Sequence, residues 1–204
     1  MTDRSIIKSL QNKMSPRTEQ QYSEIREQRK ITIMQAGLEL FAQYSIETTS
    51  ISMIAKRAGI SKGLIYNYFD NKEALIVAIV TEGFEEFTRM IPETHGQSLS
   101  KEQLIHYLNT TFDVLTTDFQ YWKLYFSIVM QPEVMKLIED QLMAIMMPVV
   151  MLMADYYESQ GVANPMAHAR MLGAILDGIS LNYMLDPENF PLTDIKNILF
   201  QKFL

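Results

Sequence analysis

Cysteine is absent from this 204-residue chain, which excludes disulfide bridges and thiolate metal sites. Glycine and proline are scarce, at 8 and 7 residues, and no stretch alternates between apolar and polar residues with the period of two that half-buried strands show. Apolar residues recur at helical spacing instead, and hydrophobic residues make up 48% of the chain, which is enough for a buried core. The sequence therefore predicts an all-α fold, which its cap and breaker residues divide into nine helices.

Long hydrophobic runs are also lacking. The longest covers residues 142–154, "LMAIMMPVVMLMA", whereas about 20 residues are needed to span a bilayer, and Pro148 interrupts the run. The N-terminal stretch "MTDRSIIKSLQNK" has no apolar segment of the kind that signal peptides contain. We therefore expect a cytoplasmic protein with no membrane partner.

No arrangement typical of catalysis or of cofactor binding is found in the sequence. The three histidines, His95, His106 and His168, do not share a metal-binding spacing. There is no glycine-rich phosphate loop, no His-Glu-x-x-His motif and no suggestion of a Ser-His-Asp triad. We therefore expect no enzymatic activity, no bound metal and no cofactor.

Charge is distributed unevenly along the chain, whose formal net charge is −6. Residues 1–80 carry 11 basic and 8 acidic side chains, whereas residues 81–204 carry 7 basic and 16 acidic ones. This difference is typical of an N-terminal part that faces phosphates and is attached to an acidic body. The alternative is a chance clustering of solvated charges.

Residues 50–70, "SISMIAKRAGISKGLIYNYFD", carry the signals of two short helices joined by a tight turn. Ser50 can cap the first helix, and Gly59 can adopt the left-handed conformation that ends it. Ser61 can cap a second helix that ends near Phe69. Two short helices in this arrangement are a helix-turn-helix signature.

The second short helix combines an apolar side with a polar and aromatic side. Ile60, Leu64 and Ile65 can anchor it to the core. The positions left exposed are Ser61, Lys62, Gly63, Tyr66, Asn67 and Tyr68. Backbone N–H groups at a helix start and tyrosine hydroxyls both bind phosphate, so this pattern favours contact with DNA despite the small number of basic residues.

The stretch from Ile33 to Leu75, "IMQAGLELF…TTSISMIAKRAGISKGLIYNYFDNKEAL", resembles the DNA-binding domain of the TetR family of bacterial transcriptional regulators. The resemblance implies a homodimer that places residues 62–69 of each subunit in the major groove of a double-stranded, palindromic operator, with half-sites roughly 34 Å apart. The DNA contacts that it implies are Ser50, Ser61, Lys62, Gly63, Tyr66, Asn67, Tyr68 and Lys72.

The same resemblance implies three parts and a mode of regulation. An N-terminal extension covers residues 1–24, a helix-turn-helix domain covers residues 25–71 with its motif at 51–70, and a ligand-binding and dimerisation domain covers residues 72–204. Residues 72–90 form the connecting helix of this last part. Family members mostly repress transcription and release the operator when a ligand binds, so we expect a small apolar effector.

Several positions depart from the family pattern. Ser45 follows the first helix where the family often has glycine, Gly37 stands in place of alanine, and Tyr68 stands in place of histidine. A serine in a left-handed turn costs roughly 1 kcal/mol. Arg4, Lys8, Lys13 and Arg17 of the extension could form a basic arm for the minor groove, and the alternative is an extra frayed or packed helix.

Methionine is concentrated in the C-terminal part, where 11 of the 15 methionines lie at or after Met90. Flexible, polarisable side chains suit a site for apolar ligands of varied shape. The candidate pocket residues are Tyr107, Phe112, Trp122, Phe126, Met130, Met146, Met147 and Met151. The alternative is an ordinary methionine-rich core, and Pro148 inside the helix is expected to kink it.

Small residues recur four positions apart on the penultimate helix. They allow two helices to approach closely, and in the family the last two helices of each subunit form the dimer interface. The candidate interface residues are Ala169, Gly173, Ala174, Asp177, Gly178 and Leu181. Close packing inside one subunit is the alternative.

The hypothesis that follows is a ligand-controlled, dimeric transcriptional regulator of the TetR type. Its main alternative is an all-helical enzyme or carrier that uses the methionine and aromatic cavity and does not bind DNA. A second alternative is an interaction protein whose only output is dimerisation.

Overall fold

The computed structural model describes residues 18–94 and 98–204, and these residues form nine α-helices with no strand among them. The helices are α1 (Glu19–Tyr44), α2 (Ile51–Arg57), α3 (Lys62–Ile65), α4 (Lys72–Arg89), α5 (Lys101–Thr117), α6 (Phe119–Val129), α7 (Pro132–Ser159), α8 (Pro165–Leu185) and α9 (Leu192–Phe203). The all-α prediction is confirmed. His95 and the predicted basic arm of Arg4, Lys8, Lys13 and Arg17 lie outside the described residues.

Helix α1 begins at Glu19, earlier than the start at residue 25 that apolar spacing predicts. Thr18 caps it, because its hydroxyl accepts the N–H of Gln21 at 3.2 Å while the Gln21 side chain accepts the N–H of Thr18 at 3.1 Å. This reciprocal pair is a capping box. Buried residues of α1 begin only at Ile33, so the first turns carry no apolar signal, and the Thr-x-x-Gln spacing is the signal that marks the true start.

The other helix starts agree with the sequence to different degrees. Ser100 and Gln103 have the spacing of a capping box, and at the start of α5 they form one, with bonds of 3.2 and 2.8 Å. Asp70 and Asn71 are both cap-type residues before α4, and the cap is Asn71, whose Oδ1 accepts the N–H of Ala74 at 2.7 Å. Asn164 precedes α8 in a left-handed conformation and makes no side-chain cap.

Two turns of the helix-turn-helix region adopt positive φ, as the sequence predicts. Gly59 has φ 68°, and a Cβ there would meet no atom within 4 Å, so backbone conformation and not crowding requires the glycine. Ser45 has the same φ with a side chain present. Its hydroxyl donates to the Glu47 carboxylate at 2.8 Å, and this hydrogen bond is the main cause that lowers the pKa of Glu47.

The buried apolar residues form two clusters. The first, here called the N-terminal core, joins α1 to α4 with α6 and the start of α7, and it includes Phe41, Ile65 and Trp122. The second, the C-terminal core, joins α5, the later part of α7, α8 and α9, and it includes Tyr107 and Phe112. The N-terminal core continues across the predicted domain boundary after residue 71, so the helix-turn-helix unit and the connecting helix α4 are packed as one body.

The contact between α4 and α6 is unusually close. The ring of Tyr125 lies against Gly83, where an added Cβ would fall 2.2 Å from Cε2 of the ring. The Tyr125 hydroxyl donates to the carbonyl oxygen of Val80 at 2.7 Å, and burial raises the pKa of this phenol. Gly83 therefore permits α6 to rest directly on the helix that leads away from the helix-turn-helix unit.

Helix α7 extends on both sides of the apolar run at residues 142–154. It continues through Pro148 to Ser159, and the most apolar 18-residue window has a mean hydropathy of 1.7 with 22% of the window buried. By length and composition alone it could cross a membrane, and it is the single such helix in the described part of the chain. In the folded chain it packs against α4 and α8.

Candidate nucleic-acid interface

The two helices of the predicted motif are held in place by serine caps. The Ser50 hydroxyl accepts the N–H of Met53 at 3.3 Å at the start of α2, and the Ser61 hydroxyl accepts the N–H of Leu64 at 3.3 Å at the start of α3. Such caps satisfy N–H groups that have no partner inside the helix. Both serines are exposed, so each shapes the backbone and also lies on the surface.

Helix α3 is shorter than predicted, because its regular part ends at Ile65 and not near Phe69. The chain continues as a tight turn, in which Asn67 N–H donates to Leu64 O at 3.2 Å and Tyr68 N–H donates to Ile65 O at 2.9 Å. Bonds to the third preceding residue are the 3₁₀ pattern that often ends a helix. Ile65 and Phe69 are buried on either side of this turn and anchor it.

The outward side of α3 presents the residues that the sequence selected. Ser61, Lys62, Gly63, Tyr66 and Asn67 are all exposed. A Cβ at Gly63 would meet nothing within 4 Å, so internal packing does not require this glycine. Its missing side chain leaves the backbone accessible at the surface of α3.

One concave surface brings four of the eight predicted DNA contacts together. It encloses about 460 Å³ and is lined by Ser50, Lys62, Tyr66 and Lys72 together with the carboxylates of Glu47 and Asp70. The two lysines and the tyrosine hydroxyl are groups that bind phosphate. The concavity therefore follows the edge of the exposed α3 surface.

Lys72 has a structural role that the sequence did not predict. Its Nζ donates to the carbonyl oxygens of Ile46 at 2.6 Å and Thr49 at 3.2 Å, in the loop between α1 and α2. Thr49 is itself buried, with its hydroxyl 2.7 Å from the carbonyl oxygen of Ser45. An ammonium group has three N–H donors, so one donor remains for a phosphate while two tie α4 to this loop.

Tyr68 and Arg26 form a contact that sequence reasoning missed. The Arg26 guanidinium lies 5.1 Å from the centre of the half-buried Tyr68 ring, and its Nη2 donates to the Asn67 carbonyl oxygen at 3.2 Å. The early turns of α1 thus support the turn that follows α3. The hydrogen bond joins Arg26 and Asn67, which are 41 positions apart, and no local spacing in the sequence could indicate it.

The structure does not gather the eight predicted pocket residues around one site. Tyr107 and Phe112 are buried in the C-terminal core, whereas Trp122 is buried in the N-terminal core and Phe126 packs against it. The methionines predicted with them are more exposed: Met146 and Met147 are partly buried, and Met130 and Met151 are 56% and 54% exposed. Met130 and Met151 therefore lie on the surface of the protomer and line no enclosed cavity within it.

The predicted interface residues of α8 divide between the inside and the outside. Ala169 is fully buried in the C-terminal core, which makes it a packing residue of the protomer itself. Ala174, Asp177 and Leu181 are exposed, and a Cβ added at Gly173 or Gly178 would meet nothing within 4 Å. The outward side of α8 thus carries small residues together with the exposed apolar side chains of Met166, Met171, Leu181 and Leu185.

Comparison with known proteins connects the N-terminal half to one family. Residues 33–79 match the sequence profile described as bacterial regulatory proteins, tetR family. The chain is also 32% identical over 87 residues to the fatty acid metabolism regulator protein of Bacillus subtilis (strain 168), an alignment that covers 42% of this chain and 45% of that protein. The chain therefore spans less than half the length of this curated relative.

Solved structures extend the similarity over most of the chain. FadR from Bacillus subtilis, solved in complex with stearoyl-CoA, has a TM-score of 0.68 at 20% identity and covers 85% of this chain and 98% of its own. Native NalD of Pseudomonas aeruginosa, the secondary repressor of the MexAB-OprM multidrug efflux pump, has a TM-score of 0.69 at 21% identity and covers 87% and 96%. At these identities the similarity establishes the fold of the C-terminal helices and not their ligand.

Proposed function

We propose that this chain, whose residues 33–79 match the tetR family of bacterial regulatory proteins, is a sequence-specific, DNA-binding transcriptional regulator of the cytoplasm. It acts as a dimeric repressor that a small apolar effector releases from the operator. The observation that carries the proposal is the geometry of α3, whose exposed Lys62 and Tyr66 project from a helix that the buried Ile65 fixes to the N-terminal core. A short helix exposed on a rigid support fits the major groove.

DNA recognition combines phosphate contacts with base contacts. Lys62, Tyr66 and the third donor of Lys72 supply groups for phosphate oxygens, which set the position of α3 on the duplex. Asn67 is the exposed amide next to them, and asparagine is a residue that pairs with adenine in the major groove. The proposed contacts Ser50, Ser61, Gly63 and Tyr68 act mainly through the backbone shape that they maintain.

Dimerisation places two copies of α3 side by side. The outward side of α8, with Gly173, Ala174, Gly178 and Leu181, is the face that we assign to the partner. Small residues allow close approach of two helices, and a two-fold axis makes the operator palindromic, with half-sites roughly 34 Å apart.

The effector is proposed to bind among the C-terminal helices. The related FadR structure contains stearoyl-CoA, and we extend to this chain only the class, a ligand with a large apolar part. Tyr107 and Phe112 on α5 are the aromatic residues nearest to such a site in the C-terminal core. Trp122 and Phe126, which belong to α6, are placed to transmit its occupancy toward α4.

The proposal is tested by binding to the DNA upstream of the gene that encodes the chain. We expect salt-dependent, sequence-selective binding of the purified protein, measured by fluorescence anisotropy, and a protected palindrome in footprinting. Tyr66→Ala is expected to weaken binding about tenfold or more, and Lys62→Met is expected also to reduce the slope of log K against log salt by about 2, since a dimer carries two copies.

Lys101→Met is the matched control, because Lys101 is an exposed lysine at the start of α5, away from α3. It is expected to bind DNA as the unmodified protein does. If Lys62→Met and Tyr66→Ala bind as tightly as the control, or if the protein binds unrelated DNA equally well, the proposed function is wrong.

A further inference from the structure

A cavity lies where α1, α4 and α6 meet, away from both the α3 surface and the proposed effector site. Its volume is about 210 Å³. Its walls come from Met34 and Leu38 on α1, Ile79 and Glu82 on α4, and Tyr121 on α6, with Glu27 at the α1 side. The cavity therefore touches the helix-turn-helix unit, the connecting helix and the C-terminal part at once.

The inner wall of the cavity is apolar. Leu38 and Ile79 belong to the N-terminal core, with 1% and 2% of their surface exposed, and Met34 packs against that core. An apolar group that covers these side chains gains roughly 25 cal/mol for each Å² removed from water. A cavity of about 150 Å³ holds a benzene ring, so this one has room for a ring and a short polar group.

The outer wall is acidic. Glu27 and Glu82 line the cavity, and Glu85, Glu86 and Asp118 lie around Glu82 and Tyr121. The cations in this region are Arg89, whose Nη2 lies 2.9 Å from Glu82, and Lys30, whose Nζ lies 4.0 Å from Glu27. Five carboxylates thus face two cations, which leaves the region net negative.

The titration of two side chains follows this environment. Burial, together with the smaller effect of the carboxylates of Glu86, Glu82 and Asp118, raises the pKa of Tyr121 to about 12. Burial also raises the pKa of Glu86. At neutral pH Tyr121 is therefore a neutral phenol that lines the cavity beside Glu82.

We propose that this cavity binds a small organic ammonium ion that carries an aromatic or alkyl body of about ten heavy atoms. The body covers Met34, Leu38 and Ile79, and the cationic group lies between Glu27, Glu82 and the face of Tyr121. Carboxylates and an aromatic face both attract an alkylammonium group. A neutral ligand of the same shape keeps the apolar contacts but lacks the attraction of the ammonium group to the carboxylates and the aromatic face.

Such a ligand would rest on three helices of the N-terminal core, the core to which the helix-turn-helix unit is packed. It touches α1, α4 and α6 together, so it stabilises the arrangement that the structure shows by RT ln(1 + [L]/Kd). The site is separate from the effector site of the C-terminal core. Binding at it does not depend on DNA binding, so the failure of one proposal leaves the other intact.

The test uses the full chain and two probes of matched size, the 2-phenylethylammonium ion and 2-phenylethanol. Isothermal titration calorimetry at pH 7 and low salt is expected to give a dissociation constant of about 0.1–10 mM for the ammonium ion, which lies within the ligand-efficiency ceiling for nine heavy atoms. The alcohol is expected to bind at least about tenfold more weakly.

Two variants locate the charge contribution. Glu27→Gln combined with Glu82→Gln keeps the size of both side chains and is expected to weaken ammonium binding about tenfold. Both positions are partly or fully exposed, so the fold is retained. Glu102→Gln is the control, because Glu102 is an exposed glutamate on α5, and it is expected to bind the ammonium ion unchanged.

Methyl-labelled methionine locates the site independently of affinity. The methyl resonance of Met34, assigned with Met34→Leu, is expected to shift on addition of the ammonium ion, while those of the exposed Met143 and Met151 on α7 stay in place. The proposal is overturned if no binding is detected, or if the alcohol binds as tightly as the ammonium ion. It is also overturned if the double variant binds the ammonium ion as tightly as the unmodified protein does, or if the α7 methionine resonances shift and that of Met34 does not.

Discussion

At the scale of single residues, Lys72 has two candidate roles, a structural one and a contact with DNA. The resemblance assigns it to phosphate, whereas its ammonium group donates to the carbonyl oxygens of Ile46 and Thr49. We expect Lys72→Met to lower the free energy of unfolding by about 1–3 kcal/mol, because two carbonyl groups lose a charged donor in a partly buried place. Urea unfolding followed by fluorescence measures this change.

Lys62→Met provides the comparison, because Lys62 is exposed, and substitutions of exposed residues that make no special contact change stability by about 0.5 kcal/mol or less. Lys72→Met is thus expected to lose both stability and DNA affinity, and Lys62→Met to lose affinity alone. A Lys72→Met protein that unfolds like the unmodified one but fails to bind DNA would show that the tie to the loop contributes nothing.

Residue-level predictions succeeded where the signal is local. Ser50, Ser61 and Ser100 cap helices as expected, since a cap depends on residues three positions apart. The support of Tyr68 by Arg26 and the anchoring of Lys72 escaped prediction, because each joins segments more than 20 positions apart. A sequence pattern places a side chain on a helix but does not say which distant carbonyl group it will meet.

At the scale of helices, the α4–α6 contact depends on one glycine. We expect Gly83→Ala to lower the free energy of unfolding by about 1–3 kcal/mol or more, because the new Cβ would fall 2.2 Å from the Tyr125 ring and the ring is fixed by its bond to Val80. This loss should outweigh the gain of roughly 1 kcal/mol in helix propensity. Thermal or urea unfolding measures the difference.

A second substitution identifies the cause. Combining Gly83→Ala with Tyr125→Leu removes the ring that the new methyl group would strike, so the two changes together should destabilise less than the sum of their separate effects. Simple additivity would mean that the steric explanation is wrong. Helix spacing predicted both helices, but it gave no indication that a tyrosine of one would lie on a glycine of the other.

At the scale of the whole molecule, the helix order was predictable and the packing was not. Breakers and caps between apolar stretches define nine helices with small errors at their ends, since each boundary is local. The N-terminal core runs from the helix-turn-helix unit into α6 and α7, whereas the sequence suggested a boundary after residue 71. The predicted pocket also failed to converge in the structure, because helical spacing shows that Met130 and Trp122 lie on helices but not that one faces solvent and the other the core.

Buried phenols in both cores predict how the whole fold responds to alkali. Burial raises the pKa of Tyr107 in the C-terminal core to about 12, and burial with nearby carboxylates raises that of Tyr121 beside the N-terminal core to about 12. In the unfolded chain these phenols ionise near pH 10. Between these values the unfolded state binds fewer protons than the folded state, so the free energy of unfolding should fall as pH rises from about 10 to about 12.

Urea midpoints at a series of pH values, followed by the fluorescence of the single tryptophan, measure this dependence. Lysines also lose protons in this range, so Tyr107→Phe isolates the phenol: its stability curve should fall less steeply above pH 10, while both proteins behave alike below pH 9. Absorbance of tyrosinate near 295 nm should show the phenols of Tyr107 and Tyr121 ionising at a higher pH than those of the unfolded chain. Equal slopes for the two proteins between pH 10 and 12 would mean that Tyr107 ionises as readily in the folded chain as in the unfolded one, and that its burial in the C-terminal core does not protect the phenol.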